Sequence, residues 1–279
     1  MRFKLGSELD YTIVQPTTMI LNIEPMREGR QRVISEGMLL TPDVASEVHE
    51  AEETGNRYRR LLLEPGEVKV RYEAEVETTP VAEDPDEVPE VPVSQLPLAV
   101  LPYLYPSRYC ESDKLGRFAW REFGTIATGH EKVTAICNWV HDYVDYCAGV
   151  SHSATSAHDT FTERAGVCRD FAHLSIAFCR ALGIPTRFVS AYGWQLEPQD
   201  FHAVFEAYLG DRWYLFDATR LVPVDGIVRI GIGRDAADTS FATFYGVVQD
   251  RPKRVWIEPV EGADESTEWT TEAVSVAAV

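Results

Sequence analysis

Hydrophobic and polar positions divide this chain into stretches of different character. From Glu67 to Glu77 the pattern alternates strictly. Val68, Val70, Tyr72, Ala74 and Val76 fall on one side, and Lys69, Arg71, Glu73, Glu75 and Glu77 on the other. A two-residue period of this kind predicts a half-buried strand. Tyr11 to Val14, Thr18 to Ile23, Arg32 to Glu36 and Asn56 to Leu63 read as further strands. Glu64-Pro65-Gly66 predicts a hairpin between Asn56–Leu63 and the alternating strand. Residues 80–106 are broken by Pro80, Pro85, Pro89, Pro92, Pro97, Pro102 and Pro106 and carry the acidic cluster Glu83 to Glu87. Such spacing forbids helix and inner strand, leaving an extended connector that either hangs free or crosses the surface of the second domain.

Beyond the connector the period becomes helical. Leu115 to Phe123 is one helical run. Thr128 with Glu131 forms a capping-box pattern before another, with Val133, Ile136, Cys137, Val140 and Val144 on its apolar face. A third run carries Phe171, Ala172, Leu174, Phe178, Ala181 and Leu182 and stops at Gly183-Ile184-Pro185. Gly166 lets the chain turn tightly into this helix, which places Cys168 at its positive end. There the free backbone N–H groups and the helix dipole favour thiolate over thiol and can hold a developing oxyanion.

Phe201 to Tyr208 and Trp213 to Asp217 are strand-like, separated by Leu209-Gly210-Asp211-Arg212. If Gly210-Asp211 is a two-residue turn, Tyr208 lies opposite Trp213 and Val204 opposite Asp217. His202 and Asp217 are then diagonal neighbours on one face, about 7–8 Å apart at Cβ or a little less. A slip of one residue would put them on opposite faces. Thiol, imidazole and carboxylate in this chain order can make a nucleophile, its base and the acid that orients the base.

Three segments carry a resemblance to a known family. They are Ala165 to Leu174 around Cys168, Asp200-Phe201-His202-Ala203, and Trp213 to Arg220 with Asp217-Ala218-Thr219 inside it. In these the chain resembles the transglutaminase-like superfamily, specifically bacterial proteins with an N-terminal β-domain and a papain-like core. The resemblance implies an α+β fold, with an N-terminal antiparallel β-domain followed by a transglutaminase core of helices packed on an antiparallel sheet. With the strand pattern, the prolines and the acidic, small-residue-rich end, the chain is expected to divide into a β-domain at 1–79, a Pro-rich acidic linker at 80–106, a transglutaminase-like catalytic domain at 107–261 and a disordered acidic tail at 262–279. The resemblance implies Cys168 as nucleophile, His202 as general base and acid, and Asp217 as the residue orienting His202. The reaction implied is acyl transfer through a thioester on a peptide or protein substrate, ending in hydrolysis of a peptide or side-chain amide, or in transglutamination. The sequence has no D-x-D-x-D-G loop, so the calcium dependence of animal transglutaminases is not carried over. No cofactor is expected.

Other candidates weigh less. Cys110, Cys137, Cys147 and Cys179 read as small core hydrophobes, and His173 as a packing or capping residue of the nucleophile helix. His141, Cys147 and the histidines between His152 and Arg164 fit no compact metal-ligand spacing, so no metal site is expected, and that segment reads as a loop at the mouth of the site. Gly231-Ile232-Gly233-Arg234 is only a fragment of a phosphate-loop pattern. Arg220, Arg229 and Arg234 either make structural ion pairs or meet a substrate carboxylate.

Composition sets the outer limits. A net charge of −18 disfavours the phosphate backbone of nucleic acid as a partner. No apolar run approaches the roughly 20 residues that span a membrane. The start, Met1-Arg2-Phe3-Lys4-Leu5-Gly6, reads as strand rather than secretory leader. Five cysteines suit no disulfide framework, and Cys168 and Cys179 would sit about 16 Å apart along one helix. A reducing cytoplasm is the expected location. Oligomeric state is not legible here. Two other readings stay open: a catalytically silent interaction scaffold on the same fold, and a ligand-binding protein in which Cys168 is a redox sensor.

Overall fold

The alternation at 67–77 gives a long strand at the centre of a sheet. In this computed structural model, which describes residues 1–127, 129–260 and 272–277, the first strands are β1 (Arg2–Ile13), β2 (Thr17–Leu21), β3 (Gln31–Thr41), β4 (Ser46–Glu50), β5 (Arg57–Leu63) and β6 (Gly66–Thr78). β6 runs antiparallel between β1 and β3. Its Val68, Val70, Tyr72, Ala74 and Val76 are all buried, against Phe3, Leu5, Met19 and Leu61 among others. β2, β5 and β4 form the facing sheet, so the unit is an antiparallel sandwich.

The expected hairpin between Asn56–Leu63 and Glu67–Glu77 does not form. β5 pairs with β2 and β4, whereas β6 pairs with β1 and β3. Alternation determines which side of a strand meets the core, not which strand lies beside it. Gly66, at φ +147°, turns the chain across the core into the opposite sheet.

The proline-rich segment is bound to the second unit. It contains the short strand β7 (Val81–Glu83), two single 3-10 turns and a seven-residue 3-10 stretch at Leu98–Leu104, and it buries Val88, Leu96 and Val100. Leu96 and Val100 pack with Tyr208 and Trp213.

That unit is built from α1 (Ser112–Phe123), α2 (Gly129–Tyr143), β8 (Asp145–Tyr146), α3 (Ala157–Glu163), β9 (Ala165–Gly166), α4 (Cys168–Ala181), β10 (Thr186–Gly193), β11 (Phe201–Leu209), β12 (Arg212–Phe216) and β13 (Ile227–Gly233). Thr128 of the predicted capping box lies outside the described residues. The sheet has the antiparallel order β12-β11-β10-β13. α4 packs on it and is buried continuously from Asp170 to Arg180. Phe171, Leu174 and Phe178 meet Phe188, Phe205 and Phe216 in one core with α1 and α2.

The chain then goes back. β14 (Ala242–Tyr245) pairs with β2, while β15 (Val248–Asp250) and β16 (Arg254–Pro259) pair with β1. The expected catalytic domain at 107–261 takes in these strands, but they complete the N-terminal sandwich. Residues 272–277 depart from the reading of 262–279 as a disordered tail. β17 (Ala273–Ser275) pairs with β7, and Ala273, Val274, Val276 and Ala277 are buried. The physical reason is local: the acidic residues are followed by an apolar Ala-Val-Ser-Val-Ala run that fills gaps in three core clusters. The rest of that tail lies outside the described residues.

The two units share buried polar contacts. Asn56 acts as a substitute strand residue: its Nδ2 donates to the Ile232 carbonyl and its Oδ1 accepts from the Ile232 N–H, both at 2.8 Å. Gln31 does the same for Arg229, donating to its carbonyl and accepting its N–H, each at 2.8 Å. The edge of the sheet that carries His202 is thereby tied to the sandwich.

Candidate active site

Helix α4 begins at Cys168 because the residues before it cannot stay helical. Val167 is extended, at φ −117° and ψ −178°. The Asp170 carboxylate, which has no exposed surface, accepts from the Val167 N–H at 2.9 Å. A Cβ on Gly166 would come within 2.7 Å of the Asp170 Cβ, so only glycine allows this approach. Arg169 pairs with the same carboxylate at 3.0 Å. Cys168 is half-buried, and its N–H, as the first of the helix, has no partner along the helix.

The imidazole and carboxylate come from one hairpin. Gly210, at φ +58°, and Asp211 form the turn, and Tyr208 faces Trp213 while Phe205 faces Phe216. This is the register the two-residue turn predicts, and it brings His202 and Asp217 to one face. His202 Nε2 donates to Asp217 Oδ2 at 2.9 Å. The other carboxylate oxygen, Oδ1, accepts from the Thr219 N–H at 2.8 Å and the Thr219 hydroxyl at 2.7 Å. Asp217 is thus held in one orientation by the threonine of its own Asp-Ala-Thr segment.

Charge follows this geometry. Burial works against a charged His202, but Asp217, by charge and hydrogen bond, and then Cys168, outweigh it and raise the imidazole to about 10. Burial likewise opposes a charged Asp217, yet His202 and the two Thr219 donors hold its pKa below the usual carboxylate value. His202 Nδ1 is buried and has no hydrogen-bond partner among the described residues. Cys168 does not close a formed hydrogen bond on it, although the cysteine lies near enough to support the imidazole's charge. Contacts of this kind tighten when substrate binds.

Cys168 and His202 lie on the wall of a cavity of about 950 Å³, of the size that binds small molecules or a peptide side chain. Tyr109, Tyr146, His152, Phe201 and Phe241 complete much of its lining. A larger open hollow of about 1250 Å³, between the facing sheet of the sandwich and Ala99–Tyr103, is lined by His49 but by no cysteine or serine. Size therefore does not pick the site; chemistry does.

The remaining sequence candidates separate cleanly. Cys110, Cys137 and Cys179 are buried, and burial pushes all three thiols up, whereas Cys147, also expected in the core, is only half-buried. His173 stacks on Tyr109 with ring centroids 5.1 Å apart, and its Nε2 accepts from the Ala236 N–H at 3.1 Å. Burial, then Arg169, lower its pKa to about 3, which makes it a neutral packing residue. The polar segment from His152 to Arg164, expected as a loop, is helical from Ala157 to Glu163, and only its start, His152 and Ser153, lines the site. Among the described residues no three His, Cys, Asp or Glu side chains gather as metal ligands. Arg229 is buried against Glu206 at 3.3 Å and donates to the Val276 carbonyl at 3.0 Å. Arg234 pairs with Asp238, and Arg220 donates to Asn138. Arg229 is thus held in the core, while Arg220 and Arg234 make their contacts at the surface. Gly231 and Gly233 belong to strand β13, packed against Asn22, Asn56 and Asp238, not to a phosphate loop. Among the described residues no helix is long and apolar enough to cross a membrane.

Comparison with known proteins gives the family and the fold. Residues 120–218 match the model of the transglutaminase-like superfamily core, and residues 1–99 that of the bacterial transglutaminase N-terminal domain. The fold superposes on the 1.9 Å crystal structure of a protein from Cytophaga hutchinsonii described as a "Putative Cysteine Protease". The TM-score is 0.95 at 42% identity, over 99% of this chain and 97% of that one. The chain belongs to the transglutaminase-like superfamily. It is also 34% identical over 128 residues to "Uncharacterized protein ML0607" of Mycobacterium leprae (strain TN). That match covers 41% of this chain and 45% of the relative, so the chain spans under half the length of the curated relative it matches. Membership of this superfamily, with a close structural neighbour named for cysteine chemistry, supports a cysteine-based enzyme family.

Sequence reasoning passed over two residues of the site. Asp170 lies inside the quoted motif, but its cap on Val167 depends on a buried geometry that spacing does not reveal. Tyr146 belongs to no motif, and reaches the cavity only through the pairing of β8 with β9.

Proposed function

We propose that this protein is a cysteine-dependent acyl-transfer enzyme that hydrolyses a peptide or side-chain amide through a thioester. The observation that carries the reading is the hydrogen-bonded His202–Asp217 pair behind a cysteine at a helix N-terminus, with Cys168 and His202 on the wall of one cavity. In this reading Cys168 sulfur attacks the amide carbonyl, and the Cys168 N–H receives charge developing on the oxygen. The imidazolium of His202 gives its proton to the departing amine, leaving a thioester on Cys168. His202, now neutral, takes a proton from water. The resulting hydroxide attacks the thioester, the C–S bond breaks to release the carboxylic acid, and Cys168 is again a thiolate beside the His202 imidazolium. Asp217 keeps Nε2 occupied, so that Nδ1 is the nitrogen presented to sulfur and substrate. A primary amine in place of water gives transamidation by the same steps.

A peptide library incubated with the protein, with and without a primary amine, tests this. The expected result is a new carboxylate on selected peptides with wild type and none with Cys168→Ala. Amine incorporation outpacing hydrolysis would assign transglutamination instead. The same low turnover in both proteins would favour a silent scaffold. As part of the same proposal the protein works in a reducing compartment as a cytoplasmic enzyme, a reading supported by five unpaired cysteines.

A further inference from the structure

An acyl transfer at Cys168 develops negative charge on one oxygen, which oxyanion sites meet with more than one donor. The structure offers a second group at the same place. β8 and β9 pair in parallel with Tyr146 opposite Gly166, two residues before Cys168. Backbone hydrogen bonds on either side clamp that register: Asp145 N–H to the Arg164 carbonyl at 2.8 Å, and Cys147 N–H to the Gly166 carbonyl at 2.9 Å. The Tyr146 ring rests on Phe171 of α4, with centroids 5.7 Å apart. From there the side chain lines the Cys168 cavity.

We propose that the Tyr146 hydroxyl is the second oxyanion donor of the reaction, acting together with the Cys168 backbone N–H. The inference rests on the proposed acyl-transfer function. Tyr146 stands on the same cavity wall as Cys168, and burial, then the Cys168 sulfur, raise the phenol above its ordinary pKa. It therefore keeps its proton across the working pH range and remains a donor. When the S–C bond forms, the carbonyl π pair moves onto oxygen, which lies within a bond length or two of the sulfur. Tyr146 donates a hydrogen bond to that oxygen without transferring its proton. Collapse restores the carbonyl and expels the amine, with its proton from His202. The cationic groups on the wall and His152 have partners of their own. Arg169 holds Asp170 and the His152 carbonyl, His152 Nδ1 accepts from the Ala154 N–H, and Lys253 pairs with Asp200 at 2.8 Å.

Tyr146→Phe removes the donor and keeps the ring on Phe171. Two probes of Cys168 then separate the roles. Acylation by p-nitrophenyl acetate passes through an oxyanion, and alkylation by iodoacetamide does not. The expected result is a p-nitrophenolate burst slowed on the order of 10²-fold, with alkylation changed less than about threefold. An unchanged or faster burst would overturn the proposal, showing a hydroxyl that merely occupies the site. Equal slowing of both reactions would also overturn it, reducing Tyr146 to support for the cysteine. A wild-type protein that alkylates at Cys168 yet gives no burst above Cys168→Ala would instead reject the acyl-transfer reading itself.

Discussion

His202 Nε2 and Asp217 Oδ2 meet at 2.9 Å with both side chains almost wholly shut off from solvent. In that setting each charge depends on the other, so the pair titrates far from its free values. The imidazole rises to about 10 and the carboxylate falls.

The first prediction concerns pH. A raised histidine stabilises the fold fully below its unfolded value of 6.5, and that contribution is lost as pH rises through about 10. A lowered aspartate stabilises above its unfolded value of 3.8 and loses the effect as pH falls through its folded value. The pair therefore supports the native state across the neutral range. NMR titration of His202 is expected to show an imidazolium at pH 8. Asp217→Asn should bring its pKa down and reduce turnover by on the order of 10²–10⁴-fold.

Gly166→Ala tests how the nucleophile is placed. Its Cβ would meet the Asp170 Cβ at 2.7 Å, and Asp170 is itself fixed by Val167 and Arg169. The helix start must shift. The expected cost is about 1–3 kcal/mol in thermal or chemical unfolding. Alkylation at Cys168 should slow by a larger factor than the loss of stability explains.

Asn56→Ala tests the seam between the two units. Removing the amide leaves the Ile232 N–H and carbonyl buried without their partner. A loss of about 2–5 kcal/mol is expected, read as a lower denaturation midpoint.

How much of this was legible in the sequence depends on how local each signal is. The hairpin that presents His202 and Asp217 lies within one short stretch, and its turn residues determine its register. Cys168 is marked by the Gly166 turn before it and the helical spacing after it. Other features are paired across most of the chain. β14, β15 and β16 belong to strands near residue 10 rather than to their own neighbours, and no local pattern carries that. The crossing between β5 and β6 is invisible for the related reason that alternation has a face but no partner. Tyr146 was hidden because a two-residue parallel pairing has no periodicity to detect.

The C-terminal residues give a further prediction. Val276 is fully buried, and its carbonyl accepts from the Arg229 guanidinium and the Arg30 N–H. Val276→Asp should destabilise by about 2–5 kcal/mol, since it buries an unpaired carboxylate beside an ion pair already satisfied by Glu206. A chain ending at residue 271 should melt lower than the full chain, with the active site still able to be alkylated below the new midpoint.

The central claim is that Cys168 carries the acyl group. Intact-mass measurement after rapid acid quench, on protein mixed with a peptide library, examines it directly. The account predicts an acyl adduct on wild type that maps to Cys168 and is absent from Cys168→Ala. An adduct of equal abundance on both proteins, or one that maps elsewhere in the chain, would contradict it.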